Sequence, residues 1–218
     1  MIKLSASFNP CPERDSVEYC KLLQLADTDY IHCDVMRENF VGHDALSLNT
    51  VKDVWDNVAV PLDIHLMVNE PLNELKQFID IKPTIISIHY EAFKNKKDLL
   101  KAINKIHKAH IMVGLAINPS TFIKTIKEYL PLVDVVLVMG VEPGKSGQKM
   151  VSNTIPRVKE LRGIIYEYDY PVKIEVDGGV NDENLKSVTD AGADIIVMGS
   201  CLYSSKNRPK LIEKVHNL

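Results

Sequence analysis

At 218 residues the chain can bury one sizeable core, so it needs neither disulfides nor a structural metal merely to fold. Charged residues make up 25% and the net charge is -3; the lysines are scattered, and "KNKK" (Lys94–Lys97) reads as a solvated face, which speaks against a nucleic-acid partner. Four cysteines without C-x-x-C spacing suit a reducing compartment, "MIKLSASF" is too brief for a signal segment, and no apolar stretch approaches the ~18 residues of a membrane span. A cytoplasmic protein with no membrane contact is expected.

In chain order, Ile2–Phe8 reads as a first strand, followed by a helix over Glu13–Leu25 with Val17, Leu22 and Leu25 on one side. Strands are expected at Tyr30–Val35 and Leu62–Val68, then a helix start at "NEPLNEL", where Pro71 suits a first turn. Ile85–His89 is the fourth strand, and Asp98–Ala109 follows as a helix with Leu99, Ala102, Ile103 and Ile106 at three-to-four spacing. Met112–Ile117 precedes "NPSTF", where Pro119 again suits a first turn. Val133–Met139, Val172–Val176 and Ile195–Met198 complete the strands. Asn181 in "NDENL" is an expected N-cap, and Asn207–Leu218 a closing helix.

Several of these strands are almost continuously apolar, as expected when both faces are covered. Eight strand-then-helix units predict an α/β fold, a single-domain (β/α)8 TIM barrel over residues 1–218. An open doubly wound sheet usually has fewer strands, and no G-x-G-x-x-G follows the first strand here.

Barrel enzymes place their chemistry at the C-terminal ends of strands. Ser7 closes the first strand, His32 and Asp34 lie on the second, His65 on the third, and Asp177 ends the seventh. His32 and Asp34, two apart, share a face, with Cys33 pointing the other way. Two readings stay open from spacing alone. These are core polar residues with hydrogen-bond partners, or a nitrogen-and-oxygen site for a divalent metal such as Zn, Fe, Mn or Co. Burying two carboxylates side by side without a cation is costly, which favours the metal. Of the other histidines, His107, His110 and His216 are expected at the surface and His43 in a loop. His89, beside Glu91, is expected to be structural.

Glycine-rich turns follow the last three strands: "GVEPGKSGQ" (Gly140–Gln148), "DGGV" (Asp177–Val180) and "MGS" (Met198–Ser200). Gly178, Gly179, Gly199 and Ser200 stand where barrels commonly bind phosphate, so a phosphorylated small molecule is expected. The loop over Gly144, Lys145, Ser146 and Gly147 has the freedom to close over it.

Seven stretches, in order, are similar to the ribulose-phosphate 3-epimerase family: "LSASF", "HCDVM", "DIHLMV", "VGLAINP", "VMGVEPGKSGQ", "IEVDGGV" and "GADIIVMGS". The resemblance implies a metal-dependent barrel enzyme of carbohydrate metabolism that interconverts D-ribulose 5-phosphate and D-xylulose 5-phosphate through a metal-stabilised enediolate. It implies metal ligation by His32, Asp34, His65 and Asp177, with Asp34 and Asp177 as the acid/base pair. Ser7 and His65 would contact substrate, Gly144–Gly147, Gly178, Gly179, Gly199 and Ser200 would hold sugar and phosphate, and Met36, Met67 and Met139 would line the reacting carbons. It also implies a homo-oligomer, a dimer or a hexamer. The chain departs from the family where Arg37 and Glu38 replace an Asp-Gly turn, Lys145 an aromatic residue, Gly140 a Thr and Ala6 a Pro. These changes touch the rim that reads the sugar, so a six-carbon substrate such as D-allulose 6-phosphate is the alternative. More distant ones are a metal-free barrel lyase or decarboxylase, and a non-catalytic sugar-phosphate binder.

Overall fold

All eight expected runs form strands in the computed structural model, which describes residues 1–218. They are β1 (Lys3–Ser7), β2 (Tyr30–Met36), β3 (Leu62–Met67), β4 (Ile85–His89), β5 (Met112–Ile117), β6 (Val135–Met139), β7 (Lys173–Asp177) and β8 (Ile195–Met198). Each pairs in parallel with its sequence neighbours, and β8 returns to β1, closing the sheet into a barrel. The (β/α)8 expectation therefore holds. Strand edges differ from expectation by one or two residues: β2 gains Met36, β7 gains Asp177, and β6 begins at Val135.

Ten helices accompany the strands: α1 (Ser16–Leu25), α2 (Glu38–Val41), α3 (Leu48–Asn57), α4 (Pro71–Ile79), α5 (Lys96–His107), α6 (Ile123–Ile126), α7 (Thr154–Tyr168), α8 (Leu185–Asp190), α9 (Ser200–Ser204) and α10 (Arg208–His216). The outward faces of the strands and the inward faces of these helices form one large apolar core that includes Ile31, Cys33, Val35, Ile64, Leu66 and Val176. Pro71 opens α4 as expected, and α5 buries the four residues assigned to its apolar side.

Three local expectations are corrected. Glu13–Asp15 forms a separate 3-10 turn, and α1 buries Tyr19, Cys20 and Leu23 while Leu22 and Leu25 stand 54% and 82% exposed. Cys20 behaves as a small hydrophobe and Tyr19 meets Tyr203 edge-on at 5.2 Å, so a face read from aliphatic residues alone was the wrong one. Pro119 opens no helix: Asn118–Thr121 is a turn, and α6 begins only at Ile123. Asn181 precedes α8 by a full turn. Its Oδ1 accepts from the N–H groups of Glu183 and Asn184, so it caps the turn that leads into the helix rather than the helix itself.

The N-terminal end of the barrel is tied by one carboxylate. Asp29 accepts from Lys3 Nζ at 2.6 Å and from the Leu4 N–H at 2.8 Å, and its Oδ2 lies 2.8 Å from His216 Nε2 on α10. Inside the barrel, Gly114 makes room for Ser87, because a Cβ at Gly114 would lie 2.0 Å from the Ser87 hydroxyl oxygen.

Candidate active site

Alternation along β2 aims His32, Asp34 and Met36 into the barrel, while Ile31, Cys33 and Val35 pack against the helices. The register sets His32 beside Asp63, Asp34 beside His65 and Met36 beside Met67, while Asp177 stands beside Met139. Four atoms converge at this end: His32 Nε2, Asp34 Oδ1, His65 Nδ1 and Asp177 Oδ2. Asp34 Oδ1 lies 3.3 Å from His32 Nε2 and 3.4 Å from His65 Nδ1, and Asp177 Oδ2 lies 3.9 and 3.6 Å from the same nitrogens. One ligand atom from each residue falls within 4.8 Å of all the others.

The two nitrogens that face this cluster, His32 Nε2 and His65 Nδ1, are buried and make no hydrogen bond. Buried polar atoms are almost always partnered, so a pair left open beside two carboxylates suits a missing cation. Two imidazoles and two carboxylates are also a donor set that divalent Zn, Fe, Mn or Co accepts. The residues therefore fit a divalent metal ion.

Without a metal, the rings and carboxylates hold one another. Burial alone would raise the Asp34 carboxyl, but the charges of His32 and His65, 3.3 and 3.4 Å away, outweigh it and hold Asp34 well below the usual carboxylate range. Burial would likewise lower His32, yet Asp63 and Asp34 together lift it well above the ordinary histidine value. His65 is raised in the same way, with Asp177 and Asp34 outweighing burial. The Ser7 hydroxyl donates to Asp34 Oδ2 at 2.8 Å, which turns Oδ1 toward the two rings.

A second polar layer lies one step deeper. His32 Nδ1 is 2.7 Å from Asp63 Oδ2, and that same oxygen accepts from the Ser5 hydroxyl at 2.6 Å. Glu175 adjoins them, fully buried, with no donor for either oxygen. Burial, with the Asp63 charge beside it, pushes the Glu175 carboxyl well above its usual range. Sequence reasoning missed Ser5, Asp63 and Glu175. A signal was present: they stand two residues before Ser7, His65 and Asp177, as His32 stands before Asp34, so all share the inward face.

A pocket of about 190 Å³ opens above the cluster. Ser7, Asp34, Met36, Met67, Met139 and Asp177 form its floor and walls, and the loops after β6, β7 and β8 form its rim, with Gly144–Gly147, Gly178, Gly179, Gly199 and Ser200 all on the lining. His32 and His65 are fully buried and are not on the pocket lining, though each sets a nitrogen against Asp34 and Asp177 at the floor. Gly179 has φ +72°, and a Cβ there would lie 2.3 Å from the Met150 backbone nitrogen, so the turn after β7 requires glycine. The Ser146 and Ser200 hydroxyl oxygens lie 2.9 Å apart, joining two of the rim loops.

Lys145 is on the pocket rim and exposed. The Arg37 guanidinium donates to Glu74 of α4 at 2.8 Å and to the Met36 carbonyl at 2.9 Å, and not to Glu38. That bond pins the segment leaving β2 to the outer helix. His107 is exposed beside Asp134, and His216 is half-buried on Asp29 rather than free at the surface. His89 is fully buried and sits between His65 and Glu91.

No helix is long and apolar enough to cross a membrane. Among solved structures, the chain is similar in fold to 3-keto-L-gulonate-6-phosphate decarboxylase from Vibrio cholerae, with a TM-score of 0.72, 9% identity, and 99% and 97% of the two chains covered. It is similar to 3-hexulose-6-phosphate synthase at a TM-score of 0.70 and 16% identity, covering 99% of each chain. Sequence relatives share more. The ribulose-phosphate 3-epimerase of Helicobacter pylori is 35% identical over 89% of this chain and 88% of its own, and that of Bacillus subtilis 34% over 89% of each. The profile of the ribulose-phosphate 3 epimerase family matches residues 4–203, and it is to this family of isomerases that the chain belongs.

Proposed function

We propose that the chain inverts C3 of D-ribulose 5-phosphate to give D-xylulose 5-phosphate, with Asp34 and Asp177 as the two proton-transfer groups. The convergence of His32 Nε2, Asp34 Oδ1, His65 Nδ1 and Asp177 Oδ2 on the pocket floor carries this reading. Inversion beside a ketone needs one group to take the C3 proton and another to return one to the opposite face. Asp34 on β2 and Asp177 on β7 come from separate parts of the barrel wall and both reach the pocket. An ionised Asp34, held so by its two histidines, is ready to accept a proton, and in the reverse direction the two carboxyls exchange roles.

A divalent ion held by the four residues would act as a Lewis acid, easing the negative charge that develops on the substrate oxygens next to C3. Met36, Met67 and Met139 offer polarizable, proton-free walls that keep water from the planar intermediate. Gly178, Gly179, Gly199 and Ser200 supply backbone N–H groups for the phosphate, and the Gly144–Gly147 loop covers the sugar. Lys145 adds a positive charge on the same rim.

Incubation of the metal-loaded protein in heavy water with D-ribulose 5-phosphate and, separately, D-allulose 6-phosphate tests this directly. Deuterium at C3 and new D-xylulose 5-phosphate, seen by NMR and lost on chelation, is the expected result. Turnover of the six-carbon sugar alone would move the assignment to that substrate, and no C3 exchange in either would overturn it.

A further inference from the structure

We infer that His89 and Glu91 are positioning residues that fix the proton of His65 on Nε2, so that its Nδ1 is permanently presented to the metal centre. This inference rests on the proposed role of His65 as a ligand.

The contact is unusual in joining two imidazoles. His65 Nε2 and His89 Nε2 are 2.8 Å apart, with ring planes inclined by only 22° and centroids 5.0 Å apart. So short a nitrogen separation at that centroid distance leaves the rings nearly coplanar and edge to edge, as an N–H···N bond requires. In such a bond between neutral rings one nitrogen donates and the other accepts, and the pair alone does not choose.

Glu91 chooses. Its Oε2 lies 3.2 Å from His89 Nδ1, and an ionised carboxylate only accepts. His89 must then carry its proton on Nδ1 and offer a lone pair at Nε2. His65 must answer with an Nε2–H, which leaves its Nδ1 lone pair facing Asp34 and Asp177. The polarity of the whole chain thus follows from its acidic end.

Glu91 is itself held in place. Its Oε1 accepts from the Asn118 N–H at 2.8 Å and from the Thr121 hydroxyl. The same turn is anchored from the other side by Arg157, which donates to the carbonyls of Asn118, Thr121 and Met139. Phe40 packs on the His89 ring with centroids 5.0 Å apart, and His89 is fully buried. Both rings are fully buried, so His65 and His89 have each other at this edge.

His32 reaches the same state by a shorter route, its Nδ1 bonding Asp63 directly and its Nε2 facing the centre. The two rings therefore present opposite nitrogens, each oriented by a carboxylate, one of them through an intervening imidazole. Such outer partners commonly change metal affinity ~10–100-fold.

The test uses zinc as the probe, with affinity measured by competition against a chromophoric chelator. His89→Leu removes the acceptor, while His89→Gln keeps an oxygen near the Nε2 position. Zinc affinity should fall ~10–100-fold in the first variant and recover most of that loss in the second. In the zinc-loaded parent, 15N NMR of the imidazoles should find His89 protonated on Nδ1, with its Nε2 accepting from His65. A folded His89→Leu protein that binds zinc as tightly as the parent would overturn this inference while leaving the ligand set standing. So would a His89 proton on Nε2, a result that needs no variant to fold. A parent that binds no zinc at all would overturn the ligand set first, and this inference with it.

Discussion

Replacing Asp177 with Asn should separate proton exchange from inversion. The Asp177 side chain is 16% exposed at the pocket floor, and its nearest cationic partners, His65 Nδ1 and His32 Nε2, are 3.6 and 3.9 Å away, beyond hydrogen-bond length. The amide therefore removes a charge and a proton acceptor but no structural bond. Thermal unfolding should move by no more than about 2–4 °C, the equivalent of ~1 kcal/mol in a chain of this size. A positioned acid/base group is worth ~10²–10⁴ in rate, so inversion should slow by that factor, or about 3–5 kcal/mol of barrier. Asp34 is untouched, still ionised and still held by Ser7. The epimer whose C3–H faces Asp34 should therefore keep trading that hydrogen for deuterium, returning it to the same face without inversion, while the other epimer stays inert. Proton NMR in heavy water, on each epimer separately and with divalent metal in excess, reads both events at once. Exchange in both epimers, or inversion within tenfold of the parent, would refute the assignment of two groups to two faces.

Lys145→Ala should raise KM several-fold with kcat little changed if the rim amine meets the phosphate; steady-state kinetics with an unchanged KM would return Lys145 to the solvent. Gly179→Ala forces a Cβ against the Met150 backbone at positive φ, so it should cost ~1–3 kcal/mol of strain and weaken substrate binding, measured by calorimetry alongside KM. Leu66→Ala, fully buried on the outer face of β3, should cost ~3–5 kcal/mol in chemical denaturation. Asp29 gives a pH signature. Burial alone would raise its carboxyl, but Lys3, the Leu4 N–H and His216 outweigh this and lower it. Its stabilisation is therefore present above the unfolded carboxylate value, near pH 4, and is lost as pH falls through the lower folded value. The midpoint gap between the parent and Asp29→Asn should be widest near neutrality and close toward pH 3 in thermal scans.

Strand identity was legible because nearly continuous Val and Ile runs of four to seven residues, bounded by polar segments, have few other structural uses. His32, Asp34, His65 and Asp177 were legible because strand ends are where a barrel keeps polar residues, and period-two alternation aims them. The layer of Ser5, Asp63 and Glu175 was overlooked by attention to strand ends, though the same alternation points to it. The edge-to-edge meeting of His65 and His89 is of another kind. It depends on the stagger between β3 and β4, where His65 pairs with Ser87 and His89 stands one inward step further along. Stagger is a property of barrel closure, and no local pattern in either strand encodes it. The buried face of α1 was misread for a simpler reason, since Tyr19 and Cys20 join Leu23 in the core while Leu22 and Leu25 stay exposed.

The closure of β8 onto β1, with His216 locked on Asp29 beside Lys3, has a consequence for the order in which the protein is made. Residues 195–216 leave the ribosome after the other seven strands. Until they arrive, the nascent chain holds at most a seven-stranded open sheet, with β1 and β7 as bare edges. Such edges invite pairing with other chains. Asp177 also sits on one of those edges, so the four residues proposed to hold a metal cannot converge before the sheet closes. A product stalled or cut before residue 195 is accordingly the aggregation-prone form, and the arrival of β8, rather than formation of the other strands, sets the moment at which the edges disappear.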